Sequence, residues 1–320
     1  MKLVERIRQG DTRAVARLIT MVENDFQQAQ PVLKELHQHC GHAIVVGITG
    51  PPGSGKSTIT DKLTKHLRKM NKKVGIIAID PSSPFSGGAI LGDRIRMQDL
   101  TTDKDVFIRS VGARGHLGGL SRSTQAVVKI MDAMGKDFIF IETVGVGQSE
   151  IDVIKVSDVV ILIVMPGMGD DIQVIKAGIM EIGDIFVVNK SDRDGSDKLI
   201  AEIEMMLHLI EDKNNEKWAP PIIKTVGTEN IGIDALWAEV DKFIKYLKKS
   251  SQLLKRRRNR TRKEIFDLFQ ESWREMFFEY IGEDKIENEV SRVLQQNDNP
   301  YNAVKNLSTV FKEKLFKEDS

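Results

Sequence analysis

Nine residues, GPPGSGKST at Gly50–Thr58, restrict the possible folds of this 320-residue chain more than any other stretch. They match the spacing G-x-x-x-x-G-K-[ST], in which glycines let backbone N–H groups converge on phosphate oxygens at a helix N-terminus. Such a loop works where a strand hands over to a helix, and its flanks supply both. AIVVGIT precedes it, and Ile59, Leu63, Leu67 and Met70 follow at the spacing of one helical face. Gly50, Pro51, Pro52, Gly53, Ser54, Gly55, Lys56, Ser57 and Thr58 are therefore expected to cradle nucleotide phosphates. Lys56 would reach the β/γ oxygens and Ser57 would ligate Mg²⁺.

Further strand-length apolar runs follow: KVGIIAID, DVFIRSV, DFIFIET, VVILIVMP, IFVVNK and PIIKTVG. Most are apolar on consecutive positions, the pattern of parallel strands covered by helices on both faces. The expected fold class is α/β, a P-loop NTPase with a mostly parallel sheet. Residues 1–42 read as an N-terminal helical region, with Val15, Leu18, Ile19 and Val22 at helical spacing. The P-loop domain is expected over 43–245. Residues 246–320 read as a charged helical arm whose apolar stripe includes Ile265, Leu268, Phe269, Trp273 and Phe277.

The strand ends carry the chemistry. NKSD, Asn189–Asp192, directly follows IFVV, at the carboxyl edge where ligands bind an open parallel sheet. An Asp carboxylate at Asp192 accepts from both guanine N1–H and the exocyclic amino group, donors that adenine lacks there, while Lys190 can lie along the base plane. Guanine is therefore expected over adenine. Thr225, Val226 and Gly227 follow the last strand and could offer backbone N–H groups to guanine O6. ETVGVGQSE places Glu142 where GTPases usually carry Asp, with Gly145 as the expected amide sensor of the γ-phosphate. Asp80 and Asp93 join Glu142 as a carboxylate set for Mg²⁺ or its waters, not all of which need touch the metal. Gln148 could orient water, or be polar surface.

The ordered set GPPGSGKST, AIDPSSPFSGGAILGDRIRM, RGHLGGLS, ETVGVGQSEIDV, MPGMGDDIQVIKAGIMEIGD and NKSD resembles the MeaB-type G proteins. These SIMIBI-like P-loop GTPases are chaperones of methylmalonyl-CoA mutase and related adenosylcobalamin-dependent acyl-CoA mutases, and were once described as transport-system kinases. The resemblance implies hydrolysis of GTP to GDP with Mg²⁺ as cofactor, and Lys56, Asp93 and Glu142 in catalytic positions. Ser57, Asp80, Asp93 and Glu142 would hold magnesium. It further implies a homodimer, with the C-terminal arm as the dimerisation element, and gating of cofactor loading, protection or rescue of the partner mutase. A mobile segment over 165–176 would couple nucleotide state to that partner, with Asp170 and Lys176 at its charged positions.

Composition closes off other classes. With 47 basic and 46 acidic residues the formal charge is +1, so no global bias points to nucleic acid or an anionic membrane. A single cysteine, Cys40, cannot form an intrachain disulfide, and MKLVERIRQGD is too charged for a signal peptide; a cytoplasmic protein is expected. Val159 to Met165 is too short to cross a bilayer. HQHCGH, with His37, His39, Cys40 and His42, could hold a transition metal, but a polar connector before the first strand is preferred. KRRRNRTRK over 255–263 reads as a solvated helix face. The rival functions are a metal-insertion GTPase, which would need the His/Cys cluster, and a transport-linked protein kinase, against which NKSD argues.

Overall fold

The computed structural model describes residues 2–81, 97–113, 119–143, 155–167, 183–210 and 218–318. Asp93, Gly145, Gln148, Asp170, Lys176 and most of RGHLGGLS lie outside them. The chain forms two compact units, Met1–Arg257 and Arg258–Ser320.

In the first unit, seven strands form one sheet: β1 (Ile44–Thr49), β2 (Val74–Pro81), β3 (Val106–Ala113), β4 (Phe138–Thr143), β5 (Val159–Val164), β6 (Ile185–Asn189) and β7 (Ile222–Thr225). Their order is β3-β2-β4-β1-β5-β6-β7, and every pair is parallel. All seven apolar runs read from the sequence are strands, and the α/β fold is as expected. Consecutive apolar residues serve opposite faces. Val45, Ile77 and Ile139 pack against the N-terminal helices α1 (Leu3–Arg8), α2 (Thr12–Asn24) and α3 (Phe26–Leu36) and against the helix Gly119–Ala133. Their neighbours Ile44, Val46, Ile76 and Phe140 pack on the other face against α4 (Lys56–Lys69) and the helix Ile233–Lys249. The helix Ser196–Ile210 covers Leu162, Val164, Phe186 and Val188.

Helix α4 buries Ile59, Leu63 and Leu67 completely, a contribution of about 1.5–3 kcal/mol for each side chain. Met70, expected on the same face, is instead 48% exposed because the helix stops at Lys69 and Met70 is its C-cap. Helix α2 buries Val15, Leu18, Ile19 and Val22 as its spacing requires, and Asp11 caps it by accepting from Arg13 and Ala14 N–H.

The helix Gln252–Ile281 begins in the first unit, and its start departs from the sequence expectation of a solvated face. Arg256 forms a two-pronged ion pair with Asp184 at 2.7 and 2.8 Å and donates to the Asp158 carbonyl. Arg257 grips the Asp158 carboxylate at 2.8 and 3.2 Å and donates to the Gly41 and Ala43 carbonyls. Both aspartates are buried immediately before strands β5 and β6 and also accept strand amides, Asp158 from Val45 and Asp184 from Val160. Burial pushes the Asp184 carboxyl up from the ordinary carboxylate range, while the Arg256 fork pulls the other way.

The second unit is helical: the rest of Gln252–Ile281, then Glu283–Leu294 and Pro300–Glu318. Within it Trp273, Phe277 and Tyr280 pack around Phe311. Ile265, Phe266 and Phe269 of the expected stripe region stay more than half exposed, at 62%, 55% and 56%.

Candidate functional site

The P-loop sits where β1 ends and α4 begins, at the carboxyl edge of the sheet and between the neighbouring strands β4 and β5. Two of its glycines are required by close approach. Gly50 has φ +141°, and a Cβ there would lie 2.0 Å from the Ile163 carbonyl oxygen. Gly55, at φ +93°, leaves no room for a Cβ, which would come within 2.1 Å of Asn189 Nδ2. Gly55 is also the N-cap of α4 and contributes no capping side chain, so the first amides of the helix point into the loop. Lys56 is buried, and its Nζ donates to the Gly50 and Pro51 carbonyls at 2.8 and 2.9 Å, which holds the ammonium across the loop.

Ser57 Oγ is hydrogen-bonded to Glu142 Oε1. Parallel pairing explains the meeting: Ile48 of β1 is in register with Glu142 of β4, so the carboxylate emerges next to the loop that follows β1. A hydroxyl beside a buried carboxylate is a hard oxygen donor set, and it fits the preferences of magnesium. Asp80 lies near the end of β2, one register step beyond Ile79, which pairs with Thr143 of β4. The backbone therefore brings Asp80 and Glu142 to one edge of the sheet.

On the other side of the loop, Asn189 at the end of β6 is 2% exposed and makes three bonds. Its Nδ2 donates to the Ser54 carbonyl at 2.7 Å, while its Oδ1 accepts from Thr225 Oγ1 at 3.0 Å and from Gly227 N–H at 3.1 Å. One side chain thus ties the phosphate loop to the segment Thr225, Val226 and Gly227. Lys190, at φ +56°, donates from Nζ to the Gly53 carbonyl at 2.8 Å and adds a second brace. Ser191 binds the Thr225 carbonyl through both N–H and Oγ, leaving Asp192 exposed just beyond it. The pieces read separately in the sequence, Gly50–Thr58, Glu142, Asn189–Asp192 and Thr225–Gly227, are brought to one edge of the fold.

The bracing role of Asn189 was not legible in the sequence, where NKSD reads only as a base reader. Nor was the clasp of Arg256 and Arg257, although a signal existed: an aspartate immediately precedes each of two wholly apolar strands, SDVVILIV and GDIFVV. In the histidine-rich connector, His37–His39 form a 3₁₀ turn and the Cys40 thiol donates to the Leu36 and Lys129 carbonyls. No group of three or more His, Cys, Asp or Glu poised for a metal occurs among the described residues. Among the same residues no helix is long and apolar enough to cross a membrane.

Known proteins resemble this chain along most of its length. A Pyrococcus horikoshii protein named as a GTPase is 49% identical over 303 residues, covering 94% of this chain and 95% of its own. The GTPase ArgK of Escherichia coli is 39% identical over 257 residues, 78% of this chain and 77% of its own. Among solved structures, a LAO/AO transport system kinase superposes with a TM-score of 0.71 at 27% identity, covering 97% of this chain and 96% of that one. The model of one family, described as methylmalonyl-CoA mutase-associated GTPase MeaB, matches residues 15–280. From its P-loop to its helical arm, this chain belongs to the MeaB family of GTPases.

Proposed function

We propose that this chain hydrolyses GTP to GDP and phosphate and uses its nucleotide state to regulate an adenosylcobalamin-dependent acyl-CoA mutase, through cofactor loading, protection or reactivation. The observation that carries the GTP reading is Asn189, whose bonds join the P-loop to Thr225–Gly227 while Asp192 stays exposed for a base. Asp192 would accept from guanine N1–H and the exocyclic amine, and the Lys190 stem would lie along the ring. Phosphate oxygens would take over the donors that Lys56 now gives to Gly50 and Pro51, so its charge meets the β/γ bridge where negative charge develops. Magnesium, held by Ser57 with Glu142, Asp80 and Asp93 directly or through water, would neutralise that charge further.

The mutase reading rests on the family description, which names methylmalonyl-CoA mutase. Asp170 and Lys176 are proposed to report nucleotide state to that partner. A homodimer in the cytoplasm completes the reading, and the exposed Ile265, Phe266 and Phe269 offer a face for self-association. The deciding experiment pairs two measurements on the full chain. Steady-state hydrolysis should favour GTP over ATP and vanish with a chelator. Capture from native extract with a non-hydrolysable GTP analogue should retain a cobalamin-dependent mutase. Equal use of ATP would overturn the first part, and loss of the mutase in every nucleotide state would overturn the second. Transfer of labelled γ-phosphate to a protein would replace the reading with a kinase.

A further inference from the structure

The amino edge of the sheet, opposite the P-loop, holds a cavity of about 560 Å³. Its lining includes Ile44 and Phe138, the first residues of β1 and β4, and Ala133. Around it stand Arg8 at the end of α1, Lys72 after α4 and Lys248 near the end of the helix Ile233–Lys249, with His39 and His42 from the connector. Among the described residues no carboxylate pairs with Arg8, Lys72 or Lys248, whereas Arg68, Arg109, Arg256 and Arg257 each meet one.

Two carboxylates also line the cavity, but their bonds run to the backbone. Asp132 accepts from the N–H groups of Gly41, His42 and Ala43, and Asp137 accepts from Lys73 N–H. Lys136 is turned aside as well, its Nζ donating to the Asp105 carbonyl. The three unpaired cations could be explained as compensation for the carbonyl ends of nearby helices. That attraction acts through space from the last turns that hold Arg8 and Lys248, and it leaves the side-chain donors available to a ligand: none joins Arg8, Lys72 or Lys248 to a helical carbonyl among the described residues. Arg8, Lys72, Lys136 and Lys248 outnumber Asp132 and Asp137 around this concave, partly apolar space, so its lining carries a net positive charge that favours an anion.

We propose that this cavity binds a small phosphate-bearing anion at a second site, separate from the nucleotide. Arg8 would supply a planar fork and the lysines point charges, the usual division of labour in phosphate recognition. The ligand would touch the turn at the far end of α4, the helix whose first residue is Lys56.

The test uses the full chain saturated with GDP and Mg²⁺, so that the P-loop is filled, titrated with inorganic pyrophosphate by calorimetry. The expected result is a second binding event in the wild type, weakened by about tenfold or more in the double variant Lys72→Ala/Lys248→Ala. GDP affinity should be the same in both proteins, which shows that the variant is folded. Repeating the titration with sulfate separates phosphate recognition from a site for any dianion, and equal binding of sulfate would overturn the phosphate assignment. No second event in the wild type, or an equal one in both proteins, would overturn the site itself.

Discussion

At the scale of single residues, the site divides between side chains that brace and side chains that face outward. Asn189 directs its amide wholly into the protein, whereas Asp192, three positions later, is exposed. Asp192→Asn should therefore leave the fold intact and weaken GTP by about 2 kcal/mol or more, with selectivity moving toward xanthine nucleotides. Calorimetry with GTP and XTP checks this, and unchanged GTP affinity would remove Asp192 from base recognition. Gly55→Ala makes a contrasting case. The added Cβ would meet Asn189 Nδ2 at a φ that L-residues rarely adopt, so the brace and the loop cannot both persist. Nucleotide binding should be lost while the far-ultraviolet spectrum stays that of a folded α/β protein.

Elements are joined by a few buried charges. The start of the helix Gln252–Ile281 is anchored to the amino ends of three strands by Arg256 and Arg257. Arg257→Ala withdraws the guanidinium from a carboxylate that is fully buried, and removing one partner of such a pair costs about 3–5 kcal/mol. Denaturant unfolding should show that loss, and Arg258→Ala, one residue further along the helix, should show almost none. Lys136, in the turn before β4, gives a pH signature. Burial lowers its amine from 10.5 to about 8, so between these values the unfolded chain binds a proton that the native chain does not. Stability should rise across that interval as the burial penalty on the charged form disappears. Below about 8 the penalty is present in full. In Lys136→Met that rise should be absent, and parallel stability curves for the two proteins across the interval would disprove it.

For the whole molecule, the proposed coupling follows from linkage. If a mutase distinguishes GTP-bound from GDP-bound protein, it must alter the two nucleotide affinities reciprocally, by about 1–3 kcal/mol. Hydrolysis measured against mutase concentration should show stimulation that Asp170→Ala reduces more than it reduces the basal rate; equal stimulation would remove Asp170 from the mechanism. The helical arm makes a separate prediction. Ile265→Glu adds a charge to a side chain that is already 62% exposed, so the monomer should fold unchanged while a dimer built on that face should dissociate in sedimentation.

The strand runs, the amphipathic N-terminal helices and the P-loop were all legible in the sequence, because each depends on local pattern: apolar periodicity, and a fixed spacing of glycines before Lys56. The order of the strands was not. Only the tertiary fold sets β4 beside β1, and that neighbour relation brings Glu142 to Ser57 across 85 residues of chain. The same holds for Asn189, which reads as one letter of NKSD but bonds to Ser54 and Gly227, and for Arg256 and Arg257, which read as surface charge but neutralise buried aspartates. Spacing along the chain specifies which residues share an element. Which buried polar groups must satisfy one another is decided by packing, because the requirement to pair them arises only once water is excluded.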